Sequence, residues 1–142
     1  MKTSLVCIGM IIAIIALSCN ESQKPKEKKR KWTEKEFEEG LKLNPFPDEL
    51  IYPNAEGKKL QITTDDREKE IILSTIDNLN KVDKFYEQNL PKHGWKKVIE
   101  GSHKNSKKSY LYYEKGNREA LINISPDNHD KTEIIVLLRP AS

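Results

Sequence analysis

The chemistry open to this chain depends first on its histidines, because imidazole is the common acid, base and metal ligand near neutral pH. They are His93, His103 and His129. None is paired with a second histidine four residues away, and none joins a carboxylate in a metal-ligand pattern such as HExxH. We expect His93 in a turn and the other two in polar loops, and we interpret all three as surface residues.

Other catalytic signatures are missing from the sequence as well. Asp65 and Asp66 are adjacent, but neighbours on a strand face opposite sides, and beside Arg67 and Lys69 they fit a solvated turn. No GxSxG elbow is present to activate a serine, and the six glycines are not clustered into a phosphate-binding loop. The sequence therefore predicts no catalytic residue, no metal site and no cofactor.

A group of lysines is the best candidate for a binding surface. This group, the lysine set, comprises Lys92, Lys96, Lys97, Lys104, Lys107 and Lys108. We expect the loops that carry them to meet at one end of a sheet, where they would attract a polyanion or an acidic partner protein. Tyr113 is included because an exposed tyrosine offers a contact surface. The alternative is a charged, solvent-facing edge whose lysines prevent pairing between chains.

The N-terminal segment has the features of an export signal. Lys2 supplies a positive charge, and Leu5 to Leu17 is an uncharged apolar run of thirteen residues. As a helix this run would span roughly 20 Å, less than the roughly 30 Å of bilayer hydrocarbon. Its length and flanks suit the core of a signal peptide over residues 1–18. The run ends in Ala16-Leu17-Ser18-Cys19, which resembles the signal of bacterial lipoproteins.

The lipoprotein resemblance implies cleavage before Cys19 and attachment of lipid to that cysteine. Ala16 and Leu17 make it a relaxed form of the motif, which prefers Leu and then a small residue at these positions. Cys7 lies in the removed segment, so acylation would consume the only thiol of the mature chain. The expected location is the bacterial cell envelope, with the membrane as partner and the domain outside the cytoplasm. An uncleaved anchor and an ordinary secretory signal are the alternatives.

Residues 19–31 are expected to form a disordered tether that begins at the lipid-bearing cysteine. Residues 20–31 have no apolar side chain, and Lys24 to Lys31 contains six basic residues and one glutamate. Residues 32–142 carry 18 Lys or Arg and 20 Asp or Glu, so the folded part is mildly acidic. The basic cluster either touches anionic lipid headgroups or acts as a solvated spacer. Nucleic acid is not an expected partner, because no aromatic residues interleave with the charges.

Beyond the tether, the sequence predicts a short amphipathic helix over residues 32–45 and an α+β domain over residues 46–142. Thr33 and Glu36 form a capping-box pattern, and the sequence leaves open whether this first helix packs on the domain. The principal helix begins at Asp77 or Asn78 and carries apolar residues at helical spacing. Strand patterns joined by short loops predict a meandering antiparallel sheet with this helix on one face.

Three motifs in the domain resemble a series in small exported bacterial domains of unknown function. They are Tyr52-Pro53-Asn54-Ala55, Thr75-Ile76-Asp77, and the series Phe85-Tyr86, Leu90 and Gly94-Trp95. The family pattern is Y-P-x-A, T-x-D-S and F-Y-x-x-x-L-x-x-x-G-W, and it spans about residues 47–139 of this chain. The resemblance implies a fold and no activity, with the aromatic residues and Leu90 burying the helix and Gly94 making the turn that follows it.

The resulting expectation is a lipid-anchored envelope protein whose domain binds a protein partner or an anionic polymer and performs no catalysis. A small envelope hydrolase is one alternative, and it would require Asp, His or Ser side chains to converge across strands. An abundant structural lipoprotein is the other.

Overall fold

The computed structural model describes residues 32–63, 67–98, 103–105 and 107–141. The signal segment, Cys19, the tether and the pair Asp65 and Asp66 lie outside these residues. Within them, the chain forms helices α1 (Glu34–Leu43) and α2 (Leu79–Asn89), 3-10 turns at Asp48–Leu50 and Leu90–His93, and seven strands. The strands are β1 (Glu56–Ile62), β2 (Lys69–Thr75), β3 (Lys96–Lys97), β4 (His103–Lys104), β5 (Ser109–Lys115), β6 (Arg118–Pro126) and β7 (Thr132–Pro140).

Helix α1 begins where the capping pattern predicts. Thr33 Oγ1 accepts the Glu36 amide, and the Glu36 carboxylate accepts the Thr33 amide at 2.9 Å, so two amides that the helix leaves unpaired are satisfied. Phe37 is buried, and a Cβ at position 57 would overlap its ring. Gly57 therefore lets α1 approach β1 closely, and the helix packs on the sheet and shares its core.

Helix α2 is the principal helix of the domain. Asn78 caps it by accepting the Lys81 amide at 3.0 Å, and Val82, Tyr86 and Leu90 are fully buried along one stripe. The following 3-10 turn ends at Gly94, whose φ of 83° is left-handed, a conformation that glycine adopts without steric cost. The predicted roles of Tyr86, Leu90 and Gly94 are therefore confirmed.

Trp95 follows the 3-10 turn, donates its backbone N–H to the Leu90 carbonyl at 3.1 Å and is 2% exposed. Its Nε1 donates to Glu49 Oε1 at 3.1 Å, and Lys115 Nζ donates to the same oxygen at 3.0 Å while lying 5.6 Å from the centroid of the indole. We call these three residues the Trp95 triad. Burial raises the pKa of Glu49, but hydrogen bonds from its own backbone, Trp95 and Lys115 outweigh this effect and lower the pKa to about 2.

The sheet is antiparallel throughout, in the order β1-β2-β7-β6-β5-β3, with β4 pairing with another part of β5. Strands β5, β6 and β7 are joined by two consecutive hairpins. Strand β2 pairs with β7 along the whole of β2, from Lys69 opposite Leu138 to Thr75 opposite Thr132. The meander is therefore interrupted where the last strand lies against the second. The predicted α+β class, with an antiparallel sheet and one principal helix on one face, is confirmed.

Side chains alternate between two faces of the sheet. The face that carries both helices, the covered face, contributes to the core Leu60, Ile71, Leu73, Leu111, Tyr113, Ala120, Ile122, Ile124, Ile134, Val136 and Leu138. The opposite face, the open face, carries the half-buried side chains of Ile72, Tyr110, Tyr112, Leu121, Asn123, Ile135 and Leu137. No helix in the described part of the chain packs on the open face.

Candidate functional site

An open cleft lies where the loop before β1 meets α2, and its volume is about 660 Å³. The loop contributes Tyr52 and Asn54, the connection between β2 and α2 contributes Asp77, and the helix contributes polar side chains and Phe85. The loop is held in place because Tyr86 Oη donates to the carbonyl of Leu50 at 3.1 Å. Two segments that are distant in sequence thus form the two sides of one cleft.

A hydrogen-bonded carboxylate, that of Asp77, lines the cleft. Tyr52 Oη donates to Asp77 Oδ2 at 2.8 Å, and Lys81 Nζ donates to Asp77 Oδ1 at 2.7 Å. We call these residues the Tyr52 triad. Burial, followed by the bond to Asp77, raises the pKa of Tyr52 to about 12, while Lys81 and then Tyr52 lower the pKa of Asp77. Near neutral pH the phenol is therefore protonated and the carboxylate ionised.

Aromatic rings form the apolar wall of the cleft. The Tyr52 ring meets the edge of Phe85 with centroids 5.0 Å apart, and Phe85 meets Tyr86 in the same manner at 5.2 Å. Such edge-to-face pairs add to the stabilisation from burial. Because Phe85 is only half-buried, part of its ring remains available to a ligand.

Exposed amide side chains and a lysine form the rim. Asn54, Asn80 and Gln88 are exposed, and each carboxamide can donate and accept hydrogen bonds at once. Asn54 has a φ of 58°, in the left-handed region that asparagine tolerates better than most residues. Lys84 is exposed and forms no ion pair within the described residues. The rim is therefore suited to a ligand that is rich in hydroxyl groups and carries negative charge.

A smaller cleft of about 370 Å³ adjoins the first across Asp77 and Asn78. It is formed by the start of α2, the loop between β6 and β7, and Lys107. Ile76 lines this smaller cleft. Its side chain is 84% exposed, so it does not contribute to the packing of the core. The two clefts meet at the start of α2, so a long ligand could contact both.

The structure does not bring the lysine set together at one end of the sheet. Lys97 pairs with Tyr113 on β5, whereas Lys104 pairs with Ser109 four residues away, a separation of about 14 Å along the strand. Lys107 instead lies at the smaller cleft. The expectation of a single lysine patch is therefore corrected, because β3 and β4 pair with different parts of the same strand.

Two members of the lysine set connect the edge of the sheet to α2. Lys97 Nζ lies 2.7 Å from Glu87 Oε1, and Lys104 Nζ lies 2.8 Å from Asp83 Oδ2. Asp83 and Glu87 are one helical turn apart, so both pairs lie along the same side of α2. Both ammonium groups form ion pairs within the domain, while 36% of the Lys97 side chain and 45% of the Lys104 side chain stay exposed.

Tyr113 is fully buried on the covered face and is not a surface contact. Burial, with smaller contributions from Glu87 and Asp83, raises its pKa to about 12. Its inclusion in a binding surface was wrong, since β5 turns Ser109, Leu111 and Tyr113 toward the core.

His93 and His129 are exposed, as expected, and His103 lies on β4 rather than in a loop. Within residues 32–63, 67–98, 103–105 and 107–141, no three His, Cys, Asp or Glu residues are placed to bind a metal ion together. No helix in the same part of the chain has both the length and the hydropathy of a membrane span.

Tyr52, Asp77 and Phe85 belong to the sequence motifs, which indicate structural roles, whereas the rim residues Asn80, Lys84 and Gln88 belong to none of them. Tyr52 and Asp77 are 25 residues apart and meet only after β1 and β2 have paired. One sequence signal could have indicated the cleft. The motifs combine the aromatic Phe85 with the polar groups of Tyr52 and Asp77, and burial of the helix does not need a hydroxyl or a carboxylate.

A family model described as START domain-like matches residues 57–133, which is more than half of the chain. The chain belongs to the START domain-like family. No curated protein and no solved structure matches it. The START domain-like match runs from β1 to the beginning of β7 and includes the α2 side of the cleft, whereas α1 and the loop with Tyr52 and Asn54 precede it.

Proposed function

We propose that this chain is a lipid-anchored protein of the bacterial envelope whose START domain-like domain binds an anionic, hydroxyl-rich polymer without catalysis. The observation that carries the proposal is the cleft, in which the wall of Phe85, the carboxamides of the rim and Lys84, which has no ion-pair partner among the described residues, face one open space. The open shape admits a long chain that enters and leaves the site.

The chemistry of the rim favours a polymer of this kind over a small apolar ligand. Carboxamides match hydroxyl groups because both kinds of group donate and accept, and an aromatic ring packs against the apolar face of a sugar-like unit. Lys84 adds attraction for carboxylate or phosphate groups along the polymer, and Lys81 lies beside it with its charge already shared with Asp77.

The anchor follows from the lipoprotein resemblance at Cys19. A tether of twelve residues reaches at most roughly 40 Å when extended, so the cleft would stay near the membrane surface, where envelope polymers are within reach. The six basic residues of the tether would favour anionic lipid headgroups.

The buried cluster of Asp83, Ser109 and Lys104 contains the Ser and Asp types that a hydrolase uses, but its burial supports a structural role. Asp83 accepts hydrogen bonds from Ser109 Oγ and from Lys104. Ser109 is fully buried and Asp83 is 1% exposed, so a substrate cannot reach the serine. The cluster instead fixes β4 and β5 against α2.

The test is crosslinking and capture from intact cells, with the full-length chain as bait. We expect the wild type to capture an anionic polymer, and Cys19→Ser to lose both acylation and the membrane-associated product. A double variant, Asn80→Ala with Lys84→Glu, should lose the polymer while melting close to the wild type, since both residues are exposed.

Lys92→Glu provides the matched comparison, because it makes the same charge change at an exposed member of the lysine set. We expect it to capture as the wild type does. Undiminished capture by the cleft variant, or loss with Lys92→Glu alone, would reject the cleft as the binding site. Recovery of one envelope protein in place of a polymer would reject the ligand class.

A further inference from the structure

Strand β7 has apolar side chains on both faces of the sheet. Residues 134–138 form an unbroken apolar run, a pattern typical of strands that are buried on both sides. Ile134 and Val136 are fully buried beneath the helices, whereas Ile135 and Leu137 point to the open face and are half-buried. Only one of the two faces that the sequence makes apolar is covered within the domain.

The apolar side chains of the open face are contiguous. Ile72 on β2 lies opposite Ile135, and Leu121 on β6 lies opposite Leu137. These four residues, the apolar centre, lie in the middle of the sheet, and Tyr110 and Tyr112 extend it onto β5. A contiguous apolar area on a sheet face is a candidate interaction surface.

The parts of this chain that we have placed or assigned do not cover the apolar centre. Both helices lie on the covered face, and residues 20–31 contain no apolar side chain that would bury it. The apolar run from Leu5 to Leu17 is removed with the signal peptide under the proposed function. Within the described residues no helix covers the apolar centre, and we take the occupant to be another molecule.

The charges along the open face of β7 are self-complementary, and Glu70 of β2 lies beside the apolar centre opposite Leu137. Along the open face of β7 the order is Glu133, Ile135, Leu137, Arg139, acidic at one end and basic at the other. Glu133 forms no ion pair within the described residues, and Arg139, which donates from Nε to Glu119 at 2.9 Å, keeps 36% of its side chain exposed. If β7 of a second copy lies antiparallel over this strand, its acidic end faces the basic end of the first copy.

We propose that the open face is a homodimer interface in which two copies stack their sheets about a two-fold axis at the level of Val136. Ile135 of each copy then packs on Leu137 of the other, and each Glu133 faces the other copy's Arg139. Such an interface is isologous, so every contact is made twice. Pairing at the β1 edge is a poorer route, because the register shift between Gly57 and Lys59 and the lysines there disfavour strand addition.

The expected dimer is weak in solution and stronger on a membrane. Four strands about 4.8 Å apart and about seven residues long give a patch of roughly 450 Å² on each copy. The total of roughly 900 Å² is near the lower limit for specific interfaces. Anchoring confines two copies to one surface and raises their effective concentration. This strengthening rests on the proposed lipid anchor, and the interface rests on the proposed function only where the removed signal peptide is set aside as the occupant.

The test is disulfide crosslinking of the full-length chain in its native membrane. Ile135→Cys with Leu137→Cys places two thiols where the copies cross, and cysteines two apart on one strand cannot bond to each other without distortion. We expect a crosslinked dimer on mild oxidation. Lys35→Cys with Glu39→Cys, at exposed positions of α1, is the matched control and should stay monomeric. Equal crosslinking of both variants, or a product with a different protein, would overturn the proposal.

A charge reversal tests the register of the dimer. Glu133→Arg places like charges face to face and should weaken self-association of the purified chain by about tenfold in sedimentation equilibrium. The folded monomer should persist, because Glu133 has no partner within the described residues. Unchanged self-association, or a wild type that stays monomeric in this assay and in the membrane, would overturn the inference. The cleft double variant should dimerise normally, so failure here is distinguishable from failure of the proposed function.

Discussion

The domain contains two triads of the same chemistry in different surroundings. In the Trp95 triad an indole N–H and a lysine both donate to Glu49, and in the Tyr52 triad a phenol O–H and a lysine both donate to Asp77. The carboxylate of Glu49 is 15% exposed and that of Asp77 is 27% exposed. The lysine side chains differ more in exposure. Lys115 lies over the indole ring and is 36% exposed, whereas Lys81 is 65% exposed.

This difference separates a group that stabilises the fold from one that is open to a ligand. The Trp95 triad joins three segments far apart in sequence and lines none of the clefts described above. The Tyr52 triad joins a loop to the start of a helix and leaves the amine of Lys81 facing a cleft. The same three-group arrangement is therefore enclosed in the Trp95 triad and open to a cleft in the Tyr52 triad, where we propose that it takes part in recognition.

The largest loss of stability is expected when Trp95 itself is replaced in the Trp95 triad. Trp95→Ala should destabilise the domain by about 3–5 kcal/mol in urea unfolding, because the ring is buried and its loss leaves a cavity and removes one of the donors to Glu49. Trp32→Ala, at a half-buried tryptophan on the edge of the core, should cost only about 1–2 kcal/mol. Equal losses for the two variants would contradict the assignment of Trp95 to the core.

A smaller, pH-dependent effect is expected at the carboxylate of the same triad. Since the folded pKa of Glu49 is about 2 against an ordinary 4.5, its ionised form stabilises the fold above pH 4.5 and this contribution is lost as the pH falls toward 2. Glu49→Gln should cost about 1–2 kcal/mol at pH 7 after allowance for solvent screening. The difference in unfolding free energy between Glu49→Gln and the wild type should decrease below pH 4.5 and disappear near pH 2.

The control for Glu49 is Glu39→Gln, because Glu39 is exposed on α1 and its ion pair among the described residues is with Lys35 at 3.9 Å. We expect its unfolding free energy to follow the wild type at every pH. A gap for Glu49→Gln that stays constant from pH 7 to pH 3 would show that the carboxylate contributes through its shape and not through its charge.

Local patterns were sufficient to predict most elements of the fold. The capping residues Thr33 and Asn78, the apolar stripe of α2 and the left-handed Gly94 each act within a few residues of chain, so the sequence carries them directly. The pairing of β2 with β7 joins residues about 60 apart, and no periodicity encodes it. The order of the sheet therefore had to come from the structure.

The candidate site was harder to predict, because charge was a poor guide to it. The lysine set was chosen for its density, yet Lys97 and Lys104 are held by Glu87 and Asp83 after folding. Long lysine side chains find whichever carboxylate the fold brings near, and spacing along the chain does not reveal this. The cleft depends instead on Tyr52 meeting Asp77, a long-range contact between motifs that each looked structural.

The smallest effect on stability is expected in the Tyr52 triad. Tyr52→Phe keeps the ring against Phe85 and removes only the hydroxyl that donates to Asp77, so the expected cost is about 1 kcal/mol. The pKa of Tyr52 is about 12 and that of Asp77 is lowered, so the contribution is complete below pH 10 and above the ordinary pKa of aspartate. The cost should therefore be the same at pH 6 and pH 9.

The same substitution should have a clear effect on binding, because Asp77 and Lys81 lose the group that orients them in the cleft. We expect Tyr52→Phe to reduce polymer capture several-fold while Glu49→Gln, which costs more stability, leaves capture unchanged. Measuring unfolding and capture on both variants separates the two triads. If capture instead falls in proportion to lost stability in both, the two triads have the same structural role, and the cleft loses its claim to be a site of recognition.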